Sequence, residues 1–172
     1  IQKAVKKAEC EILVGFRSGE QHVFAVHKNE KGEYRGYNGE RVEGLTPIEN
    51  AELAKALHFG TANIPARPFL EDGIDSRKDE LKKALEEEAK KAVNDGKPNW
   101  DKVGTMAVGA VQEFVRGEYY RKNIPNSQKT IEYKGSDKPL IDSGNLLNSL
   151  VYITPDRANE AATGADSSER EV

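Results

Sequence analysis

Ala56-Leu57-His58-Phe59-Gly60-Thr61-Ala62-Asn63-Ile64-Pro65-Ala66-Arg67-Pro68-Phe69-Leu70 separates a short apolar helical pattern from the longest charged helical pattern in the chain. A glycine stop, two prolines flanking Ala66 and Arg67, and two aromatics rule out regular structure through its centre. Gly60 suits the position just past a helix C-terminus, where a left-handed backbone is needed. Pro65 and Pro68 fix their own backbones and push Ile64 and Arg67 towards extended geometry. The stretch predicts a stiff, extended elbow that turns Ile64, Phe69 and Leu70 inward and presents Arg67. Two readings stand for it. A stiff connector loses little entropy on docking, which suits a contact surface; the same chemistry also makes an elbow that packs only on its own domain.

Working outward, Thr46-Pro47-Ile48-Glu49 reads as a helix start, with Thr46 as N-cap, Pro47 at the first helical position and Glu49 completing a capping box. Ile48, Leu53, Ala54 and Leu57 form the buried face of that helix. On the other side of the elbow, Asp75 to Asn94 predicts one long helix with an apolar seam at Ile74, Leu81, Leu85, Ala89 and Ala92. Asp79 with Lys83, Glu86 with Lys90 and Glu87 with Lys91 place acids four residues before bases, as on a solvated face. After the Asn94–Pro98 break, Asn99 or Asp101 begins another helix. Its core stripe is Trp100, Val103, Met106, Ala107, Ala110, Val111, Phe114 and Val115. Gly104, Ala107 and Gly109 allow a neighbour to approach closely. The two long helices are expected to pair antiparallel and cover a sheet.

Towards the N-terminus, Ile1, Val5 and Ala8 share one stripe of a basic-faced helix end. Residues 10–17 and 21–27 flank a Ser18-Gly19 turn and predict an antiparallel hairpin. Residues 28–45 carry Gly32, Gly36, Gly39 and Gly44 without a P-loop lysine or a full dinucleotide fingerprint. They read as a flexible loop or extended hairpin tip, on which Tyr34 and Tyr37 are candidate partner contacts. Residues 117–141 read as mostly irregular, 142–149 as a capped short helix or turn, and 150–154 as a final strand. The fold class expected is α+β: a small, mainly antiparallel sheet, made of the N-terminal hairpin and the C-terminal strand, against two long helices and one short one. Residues 1–155 form one domain, and 156–172 an acidic, mobile tail.

Composition narrows the function. At 172 residues with 37% apolar and 32% charged side chains, the chain suits one polar globule with a modest core. The lone Cys10 excludes an internal disulfide framework and a Cys-based zinc site, and reads as a small core hydrophobe. His22, His27 and His58 lack metal-ligand spacing, so no metal or cofactor is expected. Net charge is −3 and is carried by the tail, which leaves residues 1–155 neutral and gives no basic footprint for nucleic acid. No apolar run approaches the about 20 residues of a membrane span. The chain opens on Ile1 rather than Met, which leaves room for a missing or processed start. Ser143 sits between Asp142 and Gly144 without a neighbouring histidine or a nucleophile elbow. The acids at Asp72, Asp75 and Asp79 are explained by a helix N-terminus. No motif commits the chain to catalysis. The alternative kept open is a small hydrolase or nuclease using Ser143, His58 and Asp72.

The order of these segments resembles a known family. Ala56-Leu57-His58-Phe59-Gly60-Thr61 followed by Ile64-Pro65-Ala66-Arg67-Pro68-Phe69-Leu70 is similar to a phrase in tail-completion and head–tail joining proteins of tailed bacteriophages, of the Mu-like and lambdoid minor tail type. Pro125–Ile131 and Lys134–Leu150 resemble that family's C-terminal half. The resemblance spans roughly residues 50–153 and leaves out the 28–45 insertion and the acidic tail. It implies a non-enzymatic virion protein of the neck or tail end, present in the host cytoplasm during assembly, with helices packed on a small antiparallel sheet. It also implies a homo-oligomeric, commonly hexameric, ring around the DNA channel. The partners implied are tail tube or tail terminator proteins and head–tail connector proteins. DNA would pass without sequence-specific binding. The interface residues it suggests are Phe59, Thr61, Ile64, Arg67, Pro68 and Phe69, with Arg67 and Phe69 leading.

Overall fold

A computed structural model describes residues 11–17, 19–20, 27–28, 34–35, 48–94 and 96–155. In chain order its elements are β1 (Leu13–Phe16), β2 (His27–Lys28), β3 (Tyr34–Arg35), α1 (Asn50–Phe59), α2 (Phe69–Ser76), α3 (Lys78–Val93), α4 (Trp100–Arg116), α5 (Tyr119–Asn123), α6 (Gln128–Lys134), α7 (Asn145–Asn148) and β4 (Leu150–Ile153). The class is α+β, with a small antiparallel sheet against helices, as the patterns predict.

Helix α4 is the spine. Asn99 caps it, its side-chain oxygen accepting from the Lys102 amide at 3.0 Å. Its buried face runs Trp100, Val103, Gly104, Ala107, Ala110, Val111 and Val115, close to the stripe read from the sequence. Two of its neighbours come unusually near. A Cβ on Gly73 of α2 would stand 2.6 Å from Val111 Cα, and a Cβ on Gly104 would overlap the Tyr152 ring of β4. Gly109, by contrast, faces open space and makes no such approach.

The long helix expected from Asp75 is two helices. Phe69 opens α2 directly after Pro68, with Glu71 and Asp72 in the first turn where the helix dipole favours acids. Arg77 then leaves helical backbone at φ −129°, and its guanidinium reaches Glu80 and Glu113. Beyond it, α3 exposes Lys82, Lys83, Glu86, Glu87 and Lys90, a solvated face as read. The three predicted i,i+4 pairs do not form. Instead Lys91 pairs with Glu88 at 2.8 Å, and Glu88 is only 1% exposed. Its other oxygen accepts from the Asn99 amide at 2.7 Å, so this carboxylate clasps the α3–α4 turn.

The sheet joins the two ends of the described chain. β1 pairs antiparallel with β4 in the register Leu13 to Ile153 and Phe16 to Leu150. Of the predicted hairpin partner of β1, residues 21–27, only His27 is described, and it lies in β2; Cys10, His22, Tyr37 and the tail also fall outside the described residues. A separate antiparallel pairing joins β2 to β3, with His27 opposite Arg35 and Lys28 opposite Tyr34. Helix α1 starts at Asn50, later than expected, and Glu49 stands before it rather than inside a capping box. The Glu49 carboxylate accepts from the Gly19 amide at 3.0 Å, and the Asn50 amide donates to Glu20 O at 2.8 Å.

Residues 117–141 are more ordered than their composition suggests. Ser127 caps α6 by accepting from Thr130 N, and Gly135 closes it in left-handed backbone at φ 66°. Helix α5 is held by Tyr120, 1% exposed in a core shared with Phe69, Val111, Leu146 and Leu147. The short α7 and β4 follow as read.

Candidate functional site

Helix α1 gives way to the elbow at Gly60, whose φ of 76° and ψ of 173° favour glycine. A Cβ here would stand 2.8 Å from Ala66 N and 2.9 Å from Ile64 O, because the elbow folds back on its own start. The Thr61 amide donates to Ile64 O at 2.9 Å, and Thr61 Oγ1 accepts from the Asn63 and Ile64 amides. Further on, the Arg67 amide donates to Leu57 O at 2.9 Å, tying the far end of the elbow to α1.

Arg67 does not project into solvent as expected. It is 5% exposed, and its Nε and Nη2 donate to the carbonyls of Ile124 and Pro125, each at 3.1 Å. Those carbonyls lie beyond the end of α5 with no helix ladder to satisfy them. A guanidinium supplies two N–H groups in a fixed fork, which suits two successive carbonyls. Burial pushes the Arg67 pKa below its ordinary value, while Tyr120 acts to raise it. The Tyr120 hydroxyl in turn donates to Asp72 Oδ2 at 2.5 Å. Burial, then that carboxylate, drives the phenol well above its usual range. Asp72, Tyr120 and Arg67 thus form a polar layer crossing from α2 through α5 to the elbow.

Phe69 is also withdrawn from any surface. It is 0% exposed and meets the rings of Phe16 and His58 edge-on, at 6.2 and 5.7 Å. The inward turn predicted for Phe69 holds, and its candidacy as a contact does not. Ile64 and Pro68 are half-buried. Thr61 is exposed and Phe59 is 71% exposed, so these two alone of the six elbow candidates face solvent. Tyr34 lies on β3, and Tyr37 falls outside the described residues.

Between the elbow and the segment after α5 lies a groove of about 640 Å³. Leu53, Leu57, Ile64 and Pro65 line one wall, Pro125, Thr130 and Tyr133 the other, with Leu140 and Leu146 between. Lys134 also lines it, a residue the sequence reading passed over. The tripeptide Asn-Ile-Pro occurs at 63–65 and again at 123–125, and Arg67 donates to two carbonyls of the second copy.

The residues of the alternative catalytic reading are engaged separately. Ser143 Oγ accepts from the Asn145 amide, and Asp72 accepts from Tyr120. Buried His58 meets the rings of Phe59 and Phe69 edge-on, and its Nδ1 has no hydrogen-bond partner among the described residues. Among the described residues no three His, Cys, Asp or Glu side chains gather as a metal-binding group. No helix among them is long and apolar enough to cross a membrane. Comparison with family models, curated proteins and solved structures finds no match to this chain.

Proposed function

We propose that this chain is a structural virion protein of a tailed bacteriophage. In this reading it forms a homo-oligomeric ring at the neck or head-proximal tail end, completes the tail and joins it to the head around the DNA channel. It is not an enzyme. Its neighbours are tail tube or tail terminator proteins on one side and head–tail connector proteins on the other.

One observation carries the reading. The two stretches that resemble the tail-completion family, 56–70 and 125–150, lie far apart in sequence yet fold into one unit, joined by Arg67 on the carbonyls of Ile124 and Pro125. Phe59 takes the contact role that Arg67 and Phe69 leave, since a ring that closes by rotation needs an accessible heterologous surface. A net charge of −3 suits a lumen through which DNA slides without sticking.

Electron microscopy of virions labelled on this chain tests the reading. The label is expected as a ring at the neck or the head-proximal tail end. Label elsewhere in the particle, or none in it, would sink the proposal.

A further inference from the structure

The groove beside the elbow is unbalanced in charge. Its apolar lining encloses two cations, Arg67 and Lys134, and one carboxylate, Asp142. Both cations spend their hydrogen bonds on neutral carbonyls: Arg67 on Ile124 and Pro125, and Lys134 Nζ on Lys138 O at 2.9 Å. Among the described residues neither closes an ion pair. Burial pushes the Lys134 pKa down; Asp142 works against that and Arg67 adds to it, which places all three groups within electrostatic reach. Charges taken from water into an apolar setting need a compensating partner. Among the described residues, two positive charges against one negative leave the lining short of one anion.

We propose that this groove binds a short peptide segment of a partner protein that combines apolar side chains with a carboxylate. The carboxylate meets Lys134 and the Arg67 edge, and the apolar side chains fill the space between Leu57, Ile64, Leu140 and Leu146. A volume of about 640 Å³ falls within the about 300–1,000 Å³ of sites that hold a small ligand or a few side chains. Pro65 and Pro125, one from each wall, offer no amide donors. Strand addition is therefore not the mode of binding, and side chains carry the recognition. The inference does not depend on the virion reading; failure to find the chain in a neck would leave it standing.

The test pans a displayed random dodecapeptide library against the full chain and, in parallel, against Lys134→Glu. Lys134 is the residue to change because Arg67 also holds the fold together, whereas Lys134 bonds only one carbonyl. The wild-type chain is expected to enrich peptides joining Asp or Glu to Leu, Ile or Phe. Synthesised, these bind Lys134→Glu about tenfold or more weakly and Asp142→Asn more tightly, by fluorescence polarisation. Amide shifts in labelled wild-type chain should map them to 53–67 and 125–146. Neutral or basic winners, equal binding to Lys134→Glu, shifts mapping elsewhere, or no enrichment at all would each overturn the proposal. A circular dichroism melt of Lys134→Glu matching wild type separates lost binding from lost fold.

Discussion

The seam between α2, α4 and β4 and the groove between the elbow and residues 124–146 hold distant segments together by opposite means. In the seam, Gly73 and Gly104 remove side chains so that Val111 and Tyr152 approach to contact, and at those two points no space is left. Across the groove the segments stand apart, and one guanidinium spans to two carbonyls. At these close approaches the seam gains from dispersion and exclusion of water. The groove concentrates its connection in one residue and leaves room for something else. Rigidity and vacancy therefore sit side by side, with Phe69 at the junction.

The largest effect expected is from Phe69→Ala, at the point where the two regions meet. Deleting a fully buried aromatic should cost about 3–5 kcal/mol, seen as a lower denaturant midpoint of the isolated chain. If Phe69 were an interface residue instead, the midpoint would stay put and only assembly would fail. Next comes Gly73→Ala, which tests the seam. A helix gains about 1 kcal/mol from that change where space allows, but overlap with the Val111 backbone should reverse the sign, for a net loss of about 2 kcal/mol. An unchanged or raised melting temperature would mean that the seam is looser than its geometry. Arg67→Met tests the groove by keeping the stem and removing the donors. Two carbonyls lose their partner, but water entering the groove can satisfy them, so about 1–2 kcal/mol is expected. The sharper readout is faster amide exchange and proteolysis within 61–66 and 124–127, with α4 protected as before.

The smallest effect, and a control lying in neither region, is at Glu88. The Asn99 amide, and after it Lys91, hold its carboxyl below the ordinary value of 4.5. A depressed folded value stabilises the protein above the unfolded pKa, and that contribution disappears as pH falls through the folded one. Stability measured from pH 7 downward should therefore fall on the acid side of 4.5. Glu88→Gln should flatten that limb and leave the order of the other three variants unchanged. An acid limb as steep in Glu88→Gln as in wild type would show that other carboxylates dominate it.

Much of the seam was legible in the sequence, and little of the groove. The α4 stripe from Trp100 to Val115 repeats at helical spacing, and a repeat of four turns outweighs local exceptions. Gly104 marked a close approach correctly, while Gly109, equally small, met nothing, because only the neighbour's position decides what a missing Cβ is for. The break at Arg77 was hidden because Ile74, Leu81 and Leu85 fit one helix as well as two. Glu88 was hidden by its charged neighbours, although its place between Ala84 and Ala92 puts it on the buried stripe. Arg67 was misread for a reason of chemistry. An arginine between prolines looks solvent-seeking until two carbonyls from a distant segment claim it, and no local pattern announces that meeting.

The pairing of β1 with β4 has a consequence for how the chain is made. Leu13 to Phe16 find their partners only in Leu150 to Ile153, across most of the sequence. A contact of such long reach is costly in loop entropy and slow to form. On the ribosome, the helices can assemble as they emerge, while β1 lacks its β4 partner until Leu150 to Ile153 are free. Of the described elements, the β1–β4 sheet is the last that the nascent chain can close, and a chain interrupted before Leu150 leaves β1 without β4.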